Sequence, residues 1–215
     1  MKALGVIERV ASKLAPGRTP HFLEAHIVKT LRIIANEGPL GRVKLSRALG
    51  LGEGVIRTLI RHLVNEGLVE TSRAGIALTQ SGNNLSLNLK STISETIEIP
   101  QSSLTIGPLN IAILVRDAAD AIKGGVEQRD AAIKVGASGA TTLVLRRGKL
   151  NMPLGNQDAF KEIPAIRESL ISLFSPQEND VIIIGSAKDE LTAELGAIAA
   201  TLATLKVAGH GCQSG

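Results

Sequence analysis

Residues 41–82 read GRVKLSRALGLGEGVIRTLIRHLVNEGLVETSRAGIALTQSG. A short helical pattern opens the stretch, with Leu45 and Leu49 one turn apart. Leu51-Gly52 makes a tight turn. EGVIRTLIRHLVNE, residues 53–66, is a second amphipathic pattern that Gly67 closes. LVET and IALT are strand-like runs joined by the turn SRAG. Upstream, HFLEAHIVKTLRIIAN carries Leu23, Ile27, Leu31 and Ile34 at helical spacing. Thr19 is the expected N-cap of that helix, Pro20 its first helical position, and Gly38-Pro39 its stop.

The order is helix, short helix, glycine turn, helix, hairpin. That is the layout of a winged helix-turn-helix, and GLVETSRAGIALTQSG resembles its wing and exit. At about 100° per residue, Val55, Ile56, Leu59, Ile60 and Leu63 share one face of the third helix. Gly54, Arg57, Thr58, Arg61 and Asn65 share the opposite face. Arginine reads guanine in two-pronged fashion, and Thr and Asn contact bases or phosphates, so this is the expected recognition face. Gly54 allows close backbone approach. Arg42, Lys44 and Arg47 on the second helix suit phosphate contacts that set register. Arg73 sits at the expected wing tip. Solvated helix faces or a protein-binding module fit the same pattern. His62, at the edge of the apolar face, reads as a packed histidine.

Charge favours DNA. Residues 1–90 hold 13 Lys/Arg and 6 Asp/Glu, a net +7; residues 91–215 hold 11 and 14, a net −3. A basic small domain is the footprint of a polyanion binder. The chain of 215 residues has 3 Phe and no Trp or Tyr. It therefore has almost no aromatic platform for stacking single-stranded bases. No run approaches 18 apolar residues, so no membrane span is expected. The single Cys212 excludes a disulfide framework and suggests a reducing, cytoplasmic setting.

The expected division is a winged helix at 1–88, an α+β domain at 92–208, and a flexible tail at 209–215. Residues 86–94, SLNLKSTIS, form the boundary, as a strand or an exposed connector. Beyond it come strands TIEI and LNIAILV, a long helix from about Arg116 to Val135, the hairpin ATTLVLRRGKLNMPL, helix FKEIPAIRESLISLF, strand DVIIIG and an Ala-rich helix. These segregated elements predict a two-layer α+β domain, a mostly antiparallel sheet with helices on one side. Ser186 and Asp189 read as a capping box for the last helix. No HExxH, paired cysteines, P-loop or GxSxG occurs. No catalytic residue, metal site or cofactor is therefore expected, and His210 with Cys212 does not make a zinc site.

On the 116–135 helix, run through Gly124-Gly125, Glu127 and Asp130 fall on a charged surface and Gln128 on another exposed flank. Gly125 falls on the apolar side. Arg129 falls within the apolar stripe. An arginine there must snorkel, pair with a buried carboxylate, or meet an anionic ligand or partner subunit. It is the candidate ligand or dimer residue.

LGLGEGVIRT and GVEQRDAAIKVGASGATTLV resemble most specifically a family of archaeal proteins, and the likeness extends over nearly the whole chain. These proteins join an N-terminal winged helix to a C-terminal domain of unknown function that looks like the GAD type, a two-layer α+β domain inserted in some tRNA-charging enzymes and amidotransferases. They are labelled transcriptional regulators. The expectation is a cytoplasmic, non-enzymatic regulator that binds duplex DNA, as a homodimer because one small winged helix reads only a short half-site, with a C-terminal domain that dimerises, senses an unidentified small molecule, or both. A structured-RNA or translation-associated protein is the competing expectation.

Overall fold

The computed structural model describes residues 2–12, 21–154, 160–161 and 163–211. The chain divides into two units, Met1–Leu89 and Lys90–Gly215.

The first unit holds α1 (Lys2–Ser12), α2 (Glu24–Glu37), α3 (Arg42–Leu49), α4 (Glu53–Asn65), β1 (Val69–Ser72), β2 (Gly75–Leu78) and most of α5 (Gln80–Thr92). α1 is an element the sequence pattern does not announce, although Ile7 and Val10, both buried, are three residues apart. Thr19 and Pro20 lie outside the described residues. α2 starts later than expected, at Glu24, because Leu23 is its cap. The His26 ring nitrogen Nδ1 accepts the Leu23 N–H at 3.0 Å. That interaction satisfies a donor just outside the helix, as a Glu or Gln does in a capping box. Gly38 closes α2 at φ 78°, and Gly50 closes α3 at φ 62°.

β1 and β2 pair antiparallel from Val69↔Leu78 to Ser72↔Gly75. Leu40 extends this hairpin through a bridge to Ile76. A Cβ on Gly75 would lie 2.9 Å from the Leu40 backbone, so only glycine fits there. The segment expected to be a strand or connector at 86–94 is largely α5. Its Ser and Asn residues are weak helix formers, but Leu85 and Leu89 are buried one turn apart. Thr79 starts the helix. Its Oγ1 donates to the Gly67 carbonyl at 2.5 Å and accepts the Gly82 N–H at 3.1 Å.

The second unit is built on a five-stranded sheet. Its strands are β3 (Ile97–Ile99), β4 (Leu109–Val115), β5 (Gly139–Arg146), β6 (Lys149–Asn151) and β7 (Val181–Ala187), with α6 (Val126–Lys134), α7 (Pro164–Phe174) and α8 (Glu190–Gly211). The order is β3-β4-β7-β5-β6, and every pairing is antiparallel. This is the expected α+β class, but helices cover both faces of the sheet, α8 one and α7 the other, rather than one side. The central strand β7 is buried throughout, as its uninterrupted apolar run requires. α8 lies so close to β7 that a Cβ on Gly185 would be 2.3 Å from the Ala193 carbonyl oxygen. On the alternate face, Ala112, Leu114, Leu143, Ile182 and Ile184 join Leu170 and Phe174 of α7 in one cluster. Pro164 begins α7, where its missing N–H costs nothing. Among the described residues, only Glu190–Gly209 is long and apolar enough to cross a membrane, and half of that window is buried inside the fold.

Further expected features are corrected. The single helix from Arg116 to Val135 does not form. A 3-10 turn at Ala119–Ala121 is followed by Gly124-Gly125, and α6 starts only at Val126. Gly125 has φ 82°, a left-handed conformation that ends any helix running through it. Ser186 does not cap α8 either. It lies in β7, donating to Asn110 Oδ1 at 2.7 Å. Asp189 is the cap, its carboxylate accepting the Thr192 N–H at 2.9 Å. The tail expected from 209 is helical to Gly211; Cys212 and the rest lie outside the described residues.

Candidate functional site

α4 buries Ile56, Leu59, Ile60, His62 and Leu63. Gly54, Arg57, Arg61 and Asn65 are exposed on its opposite face. The two arginines are four residues apart, one above the other. No ion-pair partner of either occurs among the described residues. Thr58 is only partly exposed, and its hydroxyl donates back to the Gly54 carbonyl at 3.1 Å. That leaves its oxygen an acceptor, not a free donor.

Arg42 and Arg47 are exposed on α3. Lys44 is exposed as well, but its ammonium is paired with Glu37. The turn between α3 and α4 is held by Ser46, whose hydroxyl donates to the Leu51 carbonyl at 2.6 Å. Periodicity and motif spacing give no signal for this serine. It ties α3 to the turn before α4, and only the bond to Leu51 marks it. Arg73 is exposed in the Arg73-Ala74 turn of the hairpin. α3, α4 and the hairpin thus present five arginines to solvent, at Arg42, Arg47, Arg57, Arg61 and Arg73.

His62 supports this face from beneath. Its Nδ1 lies 3.0 Å from the Val10 carbonyl oxygen. Its ring meets Phe22 edge-on at 5.5 Å between centroids. Arg9 on α1 also pairs with Glu66 at the end of α4, at 3.3 Å. α1 therefore braces α4 at its C-terminal end.

In the second unit, Arg129 is not buried in an apolar stripe. Its side chain is 51% exposed, and Nε and Nη2 both donate to Asp130 Oδ1 at 3.1 and 3.0 Å. Starting α6 at Val126 also exposes Val126 and Ile133. Gln128, expected on an exposed flank, is instead buried at 1% exposure and donates to Thr204 Oγ1 of α8 at 3.0 Å. Glu127 is exposed as expected. Arg129 nonetheless edges a cavity of about 430 Å³. Leu104, Ile106, Met152 and Leu154 contribute to its walls. Thr142 also lines it, and the Thr142 hydroxyl oxygen is buried without a hydrogen-bond partner. Among the described residues, no group of three or more His, Cys, Asp or Glu is placed to hold a metal.

Residues 26–93 match a family model described as the CggR N-terminal DNA binding domain. Residues 106–205 match a domain of unknown function, DUF4443. A solved structure, the hypothetical protein PH0730 from Pyrococcus horikoshii OT3, is similar at 25% identity with a TM-score of 0.66. That likeness covers 87% of this chain and all of the other. No curated protein matches. The N-terminal part of the chain is thus similar to a family of DNA-binding domains, and the C-terminal part to a domain family of unknown function.

Proposed function

We propose that the protein is a transcriptional regulator that reads duplex DNA through the outward face of α4. The observation that carries this reading is the pair Arg57 and Arg61, exposed on the face opposite Ile56, Leu59 and Leu63. The match to a DNA-binding domain family over the same residues supports it. In this reading α4 enters the major groove as the recognition helix of a winged helix. Gly54 lets its first turn approach the bases, and Asn65 contacts the backbone or a base edge. Arg42 and Arg47 hold phosphates, and Arg73 on the wing reaches an adjacent groove or strand.

The C-terminal unit senses a small molecule, dimerises, or does both. A homodimer is argued from need. One such domain reads a short half-site, and two are required to span sites a helical turn apart. The protein acts in the cytoplasm as a binding protein and not as a catalyst.

The test is a fluorescence-anisotropy titration of the full chain against a duplex selected for tight binding from a random-sequence pool, with structured RNA as competitor. Wild type is compared with the Arg57→Ala/Arg61→Ala double variant. Equal affinity of the two proteins for DNA sinks the α4 assignment. Better competition by RNA than by duplex DNA replaces this reading with an RNA-binding one.

A further inference from the structure

The cavity beside Arg129 combines three features. The first is an unmet polar atom. Thr142 is 3% exposed and its Oγ1 has no partner. A buried hydroxyl left unpaired costs on the order of 1–3 kcal/mol. The second is apolar surface left in water. Ile106, Val126, Met152 and Leu154, all lining the same cavity, are exposed, Leu154 at 76%. The third is a cation with donors to spare. Asp130 engages Arg129 through one oxygen, on Nε and Nη2. A guanidinium has five N–H donors, so the Nη1 pair is not used there.

The cavity is also kept open by glycine. A Cβ on Gly125 would sit 3.4 Å from Thr142 Oγ1, and one on Gly124 would sit 2.8 Å from Leu154 Cδ1. Side chains at either position would fill the space between α6 and the sheet. At about 430 Å³ the cavity lies within the range of small-molecule sites.

From these features we infer that the cavity binds a small amphipathic monocarboxylate. Its carboxylate lies on the Arg129 guanidinium beside the first turn of α6, whose N–H groups favour an anion. Its apolar body lies among Leu104, Ile106, Met152 and Leu154. The Thr142 hydroxyl donates to a carboxylate oxygen of the ligand. A dianionic phosphate fits less well, because among the described residues of the wall Arg129 is the one cation and most of the rest is apolar. The assignment deepens the sensing role proposed above and rests on it.

The protein holds 2 methionines, Met1 and Met152. Met152 therefore reports on the cavity; it also borders a smaller one lined by Arg146 and Lys149, from which the Arg129→Gln variant distinguishes it. The full chain, labelled with 13C at the methionine methyls, is titrated by NMR with octanoate, octanamide and inorganic phosphate. Octanoate is expected to shift the Met152 signal saturably. Arg129→Gln and the neutral octanamide are each expected to weaken binding at least tenfold, a difference of about 1.4 kcal/mol. Thr142→Val, which removes the unpaired hydroxyl, is expected to raise the melting temperature of the free protein and weaken octanoate. Equal binding of acid and amide, no effect of Arg129→Gln, phosphate binding as tight as octanoate, or no Met152 shift up to millimolar octanoate each overturn the assignment. So does sedimentation showing that Arg129→Gln dissociates a dimer, which makes this face a subunit contact. DNA affinity of the same ligand-free samples is measured in parallel, so loss of the regulator reading is distinguished from loss of the ligand site.

Discussion

His62 Nδ1 sits 3.0 Å from the carbonyl oxygen of Val10, joining the helix that carries the exposed arginines to the helix at the start of the chain. A carbonyl only accepts, so Nδ1 carries the proton. His62 is 7% exposed and Val10 is fully buried, so water does not replace the bond when it is lost. His62→Ala removes the bond and the edge contact with Phe22, and it leaves a cavity. It is expected to cost about 2–4 kcal/mol in urea unfolding of the first unit. A loss under about 0.5 kcal/mol means α1 does not brace α4.

His26 makes the first unit sensitive to acid. Burial holds its imidazole below the usual value; the Leu23 backbone partly opposes this, and the nearby Lys29 charge adds to the lowering. The Leu23 N–H on Nδ1 needs that nitrogen's lone pair, which a protonated ring does not offer. Between the lowered folded value and the unfolded value near 6.5, the unfolded chain binds more protons than the folded one. This contribution is complete above the unfolded value and is lost as pH falls below it toward the folded one. Urea midpoints are expected to drop from about pH 7.5 to about pH 5.5 by more in wild type than in His26→Gln. An NMR titration placing the His26 pKa above the unfolded value contradicts this.

The arginines of α4 and α3 differ in expected effect. If Arg57 or Arg61 reads a base, its replacement by alanine weakens specific DNA binding by about 1–3 kcal/mol. Arg42→Ala or Arg47→Ala weakens binding to all sequences alike. Each also flattens the dependence of log K on log salt by roughly one unit for every phosphate it no longer neutralises. Lys44→Ala is expected to do less than Arg47→Ala, because Glu37 already pairs Lys44. Anisotropy titrations across a salt series give both quantities, and a Lys44→Ala effect equal to that of Arg47→Ala shows that DNA displaces Glu37.

Two glycines of the second unit separate space from conformation. A Cβ at Gly185 meets the Ala193 oxygen at 2.3 Å and the Ala197 nitrogen at 2.4 Å. Both are backbone atoms of α8, so Gly185→Ala must push the helix off the sheet. The expected loss is about 3 kcal/mol or more. Gly148 has open space around it but a φ of 69°. Gly148→Ala therefore costs only the strain of that conformation, about 1 kcal/mol. Similar losses for the two in calorimetric melts argue against the tight packing of α8 on β7.

Elements with a strong period or sharp punctuation are legible in the sequence. The buried run of β7, the Leu45 and Leu49 spacing of α3, and the two faces of α4 need only side-chain periodicity. The hairpin of β5 and β6 is legible because Arg147-Gly148 adopts left-handed geometry at both positions, φ 54° and 69°. α5 is not legible. Its polar composition opposes a helix, and burial of Leu85 and Leu89 with the Thr79 cap overrules it. α6 fails for a different cause. A 3.6-residue count carried through Gly125 ignores that this glycine resets the phase. Gln128 then moves from surface to core, and Arg129 moves from core to the edge of a cavity.

The sequence by itself therefore determined which residues are apolar together and where the basic charge is concentrated. Both are properties of local order, set by the period of a helix or strand and by composition. Tertiary structure alone decided which polar atoms are left without partners. Thr142 and Arg129 are thirteen residues apart in the chain, and only Arg129 stands out there. They line one cavity because the left-handed turn at Gly125 starts α6 beside the middle of β5, a distance the sequence does not encode locally.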